Sequence, residues 1–127
     1  MKHLAAILMG FSLIILGDAV VAQNYPAKSI RLVVAFATGG ATDTFSRVTA
    51  AEMSKSLGQQ VIVENRPGAG PTIAAELVAK SPPDGYALLF TDLSTHAITP
   101  SLYTKLAYHP LRDFTAVAPV SSSPLKP

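Results

Sequence analysis

Apolar positions along the chain fall into runs of two kinds, separated by short polar turns rich in glycine and proline. The first run, Leu4 to Leu16, is unbroken apolar and small residues. Lys2 and His3 precede it, Asp18 interrupts the apolar pattern beyond it, and Val20-Val21-Ala22 offers small residues before Gln23. That order predicts a secretory signal peptide over residues 1–22, cleaved after Ala22. The run is shorter than the ~20 residues a membrane-spanning helix needs, and lengthening it would take in Asp18. The next runs are short: Ile30 to Phe36, rich in β-branched and apolar residues, then Gln60 to Glu64 and Tyr86 to Thr91, all read as strands. The first suits a strand buried on both faces, as in a parallel sheet.

Between the strands the spacing changes to that of helices. From about Asp43 to Leu57, the residues Phe45, Thr49, Met53 and Leu57 fall four apart, with Ser46 and Ala50 alongside, and predict one inward face. Arg47, Ser54 and Lys55 fall on the other face. Gly58 is placed to end this helix in a left-handed turn. A second helix is predicted from about Thr72 to Lys80, with Ile73–Leu77 and Ala74–Val78 paired along it. Ser81-Pro82-Pro83-Asp84-Gly85 is a turn. A short helix is expected near Pro100 to Tyr103, a loop from Lys105 to Phe114, and a fourth strand from Thr115 to Val120. Strand, helix, strand, helix, strand predicts an α/β fold: a mainly parallel sheet with helices packed on it.

Composition narrows the chemistry. The chain has no cysteine, which excludes disulfides, thiolate chemistry and cysteine zinc sites. The formal net charge of +2 is spread over scattered residues, so no nucleic-acid partner is expected. His96 and His109 are too far apart in sequence to predict a metal pair, and the H-E-x-x-H, G-x-G-x-x-G, P-loop and G-x-S-x-G patterns are all absent. No metal, cofactor or catalytic residue is therefore predicted.

Two glycine turns carry the candidate chemistry. Thr38-Gly39-Gly40-Ala41-Thr42-Asp43 and Asn65-Arg66-Pro67-Gly68-Ala69-Gly70-Pro71 each join the end of a predicted strand to the start of a predicted helix. In open α/β sheets ligands bind at this edge. The first N–H groups of a helix lack internal partners, and the helix dipole is positive there. Glycine lets a ligand approach the bare backbone, and Thr38, Thr42, Thr72, Ser94 and Thr95 can add hydroxyl donors. Such a place selects an anion, a carboxylate or a phosphate. Each feature also has a plainer reading. The glycines can serve only to make the turns. Thr42 or Asp43 can cap the helix, and Asp43 can alternatively meet an amino group of a ligand. Arg66 can pair with a carboxylate or stay solvated. Tyr86, Tyr103 and Phe114 read as core or interface residues.

Four segments in order, Tyr25 to Asp43, Leu57 to Gly70, Ala79 to Phe90 and Thr95 to Val120, resemble the Bug family, the extracytoplasmic receptors of tripartite tricarboxylate transporters. The resemblance implies a periplasmic, monomeric binding protein, not an enzyme. It also implies a two-lobed α/β fold closing on a small carboxylate that is delivered to the two membrane subunits of the transporter. It places ligand contacts on three turns: Phe36, Thr38, Gly39, Gly40, Thr42 and Asp43; then Gly68, Ala69, Gly70 and Thr72; then Ser94, Thr95 and His96. Members usually have proline at the position of Ala35 and GAGG followed by Asn at the second turn, where this chain has Pro71 and Thr72. Pro71 brings no N–H to a turn whose N–H groups are the expected binding device.

Receptors of this family run to about 300 residues, more than one domain's usual span. The reading is thus a periplasmic-binding-protein-like lobe, truncated: a partial first lobe over 23–120 and a divergent tail over 121–127. A lone lobe lacks the second wall that encloses a ligand, so weak or absent binding is expected. The alternatives are a nonfunctional exported remnant and, less favoured, a nucleotide-binding enzyme fragment.

Overall fold

A computed structural model describes residues 25–69 and 71–122. The predicted signal peptide, Gly70 and residues 123–127 of the predicted tail lie outside them. The elements are β1 (Ile30–Val34), α1 (Ala41–Leu57), β2 (Val61–Asn65), α2 (Thr72–Ala79) and β3 (Ala87–Phe90), then a π-helical turn (Ser94–Ile98) and α3 (Thr99–Leu102). The three strands form a parallel sheet in the order β2-β1-β3, with Leu32 opposite Val63 on one side and Leu88 on the other. This is the α/β architecture the strand and helix patterns predict.

The central strand explains the layering. Ile30, Leu32, Val33 and Val34 are all buried, and successive side chains of a strand point to opposite faces. Ile30 and Leu32 pack with Ala50 of α1 and Val61, joined by Met53, Leu57, Leu88 and Phe90. Val33 and Ala35 pack with Ala74 of α2, joined by Leu77, Val78 and Leu89. One helix thus covers each face, and no helix among the described residues is long and apolar enough to cross a membrane.

Helix α1 departs from expectation in its inward face. Asp43, Ser46 and Ala50 are its buried residues, whereas Phe45 is 51% exposed. A spacing of four residues overshoots each helical turn by about 40°, so a line drawn through Phe45 and Leu57 swings about 120° around the axis. Ser54, expected on the outer face, is half-buried: its hydroxyl donates to Ala50 O and accepts the Val61 N–H at 2.9 Å. Gly58 ends the helix as expected, at φ 65°, with its N–H on Ser54 O. The expected strand Thr115–Val120 is not formed. Val117 is 81% exposed, and no strand among the described residues lies beside this segment to complete a ladder.

Candidate functional site

Because the strands run in parallel, the turns that come after them emerge at one edge of the sheet. The first turn succeeds β1, the second succeeds β2 and the third succeeds β3. Phe36 is half-buried at the base of the first turn, and Thr38, Gly39 and Gly40 are exposed. Gly39 has φ 89°, a left-handed conformation that side chains disfavour. Gly40 is the N-cap of α1 in extended conformation, with no side-chain cap. Neither Thr42 nor Asp43 is the cap. The helix begins two residues before Asp43, which lies in the first turn instead.

Asp43 is 3% exposed, and donors surround its carboxylate. Oδ2 accepts the Gly39 N–H at 2.9 Å and Arg47 Nε at 3.0 Å. Oδ1 accepts Asn65 Nδ2 at 2.9 Å and lies 3.0 Å from an Arg47 Nη. Asn65 Nδ2 also reaches Phe36 O at 3.1 Å, and its Oδ1 accepts from Arg47 at 3.1 Å. The Arg47 hydrogen bond, then the Gly39 N–H and Asn65, hold the Asp43 carboxyl down to about 2. A carboxylate is tolerated inside a protein only with such a complement of donors.

The second turn is held differently. Arg66 N–H donates to Val34 O, which ties the start of the turn to β1. Gly68 has φ 131° and Ala69 φ 43°. A Cβ on Gly68 would lie 2.8 Å from Ile73 Cδ1, so the turn is also close-packed there. Thr72 donates its hydroxyl to Ala69 O at 2.7 Å, and Tyr103 OH donates to the same oxygen at 3.3 Å. Pro71 is the N-cap of α2, which also lacks a side-chain cap. Beneath the turn, Glu64 bridges Arg31 and Arg66, and the Arg31 hydrogen bond leads in lowering its pKa.

The third turn is the π-helical one. Thr95 is fully buried with its hydroxyl against that of Thr91. His96 places Nδ1 3.0 Å from Pro110 O and sets its ring edge-on to Phe114, with centroids 5.4 Å apart. Thr95 therefore serves the interior, and His96 ties the third turn to the 110–114 loop. The Ser94 side chain and Gly70 are outside the described residues. Among those described, no group of His, Asp and Glu is placed to hold a metal ion.

The edge thus brings together two helix N-termini without side-chain caps, two left-handed glycines and the exposed Thr38. It is open. Two depressions lie elsewhere, one of about 260 Å³ around Lys28, Arg31 and Tyr86 at the opposite ends of the strands, the other around Tyr108 and His109. Sequence reasoning singles out the glycines but misses Asn65 and gives Arg47 only an outer-face place. The available signal is a polar residue closing an apolar strand directly before a turn.

The profile of the tripartite tricarboxylate transporter family receptor matches residues 45–126, and the chain belongs to that family. BugT of Bordetella pertussis is 43% identical over 82% of this chain and 32% of its own length. The solved structure of MatC from Rhodopseudomonas palustris with bound malate is 48% identical, with a TM-score of 0.68 over 72% of this chain and 31% of that one. A second R. palustris protein, solved with adipate, is 38% identical, with a TM-score of 0.65 over 68% of this chain and 29% of that one. This chain therefore spans about a third of the length of the relatives it matches.

Proposed function

We infer that this chain forms the first wall of a periplasmic receptor that captures a small carboxylate and delivers it to the membrane subunits of a tripartite transporter. One observation carries the reading: two helices without side-chain caps, one on each face of the sheet, present their N-termini at the same end of the parallel strands, next to left-handed glycines. Unpaired N–H groups and the positive dipole end favour an anion there. Membership of the receptor family and relatives solved with malate and adipate point the same way. The contacts come from the backbone around Gly39, Gly40, Gly68 and Ala69, with Thr38 and Thr42 as hydroxyl donors. Gly70 and Ser94 join them by the family resemblance. Asp43, Thr72, Thr95 and His96 hold the turns in place.

By itself this wall is expected to bind malate or adipate weakly, in about the millimolar range. Titrating each into isotopically labelled protein tests this. Amide shifts concentrated at residues 38–42 and 68–72 are expected. Saturating shifts confined to the depression around Lys28, or none at all with either ligand, would overturn the assignment for this chain.

A further inference from the structure

A negative side chain in the first turn of a helix ordinarily turns to that helix's own N–H groups and occupies the place an anionic ligand would take. Asp43 does not. It points back to Gly39, across to Asn65 and down to Arg47, so the helix N-terminus stays free of a side-chain cap. Arg47 matches its charge. Asn65, the last residue of β2, adds a second hold by donating to Phe36 O. The first turn is thereby gripped at both ends: at Phe36 O by Asn65, from the strand that leads into the second turn, and at the Gly39 N–H by Asp43 of α1, itself held by Asn65.

We propose that Asp43, Arg47 and Asn65 form a charge-neutral positioning clamp: it sets the first turn against the second and keeps the carboxylate site free of an uncompensated negative charge. The charge-balancing half rests on the carboxylate reading above, whereas the mechanical half does not. Among the described residues, the opposing charge at Asp43 comes from Arg47 of its own helix. The first turn contributes no ionisable group besides Asp43, and β2 contributes neutral Asn65. Glu64 is paired with Arg31 and Arg66.

Two measurements on the full chain test the two halves. The first is malate titration at pH 7.5, where Asp43 is ionised with or without Arg47. Arg47→Gln leaves the Asp43 charge unbalanced and weakens malate binding about tenfold. Arg47→Lys keeps most of the affinity, and Asp43→Asn combined with Arg47→Gln regains most of the loss. Equal losses in Arg47→Gln and the double variant would overturn the charge role. The second is amide hydrogen exchange without ligand. Asn65→Ala and Asp43→Ala speed exchange of the Gly39 amide roughly tenfold or more relative to amides of β1, the loss of a charge-assisted hydrogen bond. Unchanged exchange there in folded variants would overturn the clamp. Absence of malate binding in wild type, with Gly39 exchange responding as stated, removes the carboxylate reading and the charge role together and leaves the mechanical clamp standing.

Discussion

The first and second glycine turns perform the same local task, handing a strand to a helix with a free N-terminus, but they are restrained by different physics. The first is fixed by buried charge: Asp43, with donors from its own turn, its own helix and the neighbouring strand. The second is fixed by backbone and packing: Gly68 and Ala69 at positive φ, Ile73 against Gly68, and hydroxyls from Thr72 and Tyr103 on one carbonyl. Similar glycine punctuation can therefore hide one loop sensitive to charge and another sensitive to shape.

Perturbations sort along that line. The largest expected effect strikes both turns at once. Ile30→Ala empties a fully buried place in the central strand and should cost about 2–5 kcal/mol in urea unfolding. Gly68→Ala comes next, at about 1–3 kcal/mol, because φ 131° is disfavoured for any side chain; the approach to Ile73 Cδ1 adds little, since that side chain is exposed and can turn away. Gly39→Ala meets nothing within 4 Å and sits at φ 89°, so it is penalised by about 1–2 kcal/mol. A larger loss for Gly39→Ala than for Gly68→Ala would reverse the contrast in backbone restraint between the turns. The smallest effect is Tyr103→Phe, within about 0.5 kcal/mol because the hydroxyl is exposed.

Acid separates the turns by charge. The folded carboxyl of Asp43 titrates at about 2, below its ordinary 3.8. Its stabilisation is therefore complete above about pH 4 and is lost as pH falls from there through 2. Amide exchange at Gly39, relative to its intrinsic rate, should quicken over that window, while Arg66 of the second turn, whose N–H rests on Val34 O, responds only to global unfolding. Parallel acid responses at both turns would erase the distinction.

Much of this layout is legible in the residues. Apolar runs locate the strands within a residue or two, Gly58 marks the end of α1, and glycines mark both turns. The features that escape are tertiary choices. The buried face of α1 follows the 100° step of a helix more closely than a four-residue count does, and that count puts Phe45 inward and leaves Asp43 a capping role. The Asp43–Asn65 contact joins residues from different elements, and no local pattern encodes it. Thr115 to Val120 has strand-like composition, but a strand requires a neighbour as well as composition.

The strand order has a consequence in time. β1 emerges first from synthesis yet lies in the middle of the sheet, with β2 and β3 on either side. Arg31 must wait for Ala87, and Val34 for Phe90, before both of its edges are paired. Until then Ile30 to Val34 keeps one bare row of backbone groups even after β2 has paired, a state prone to wrong partners. Assembly of this sheet can add β2 and then β3 to β1 in chain order, but every pairing joins residues far apart in sequence. It awaits closure of long loops, which places it among the slower topologies to fold.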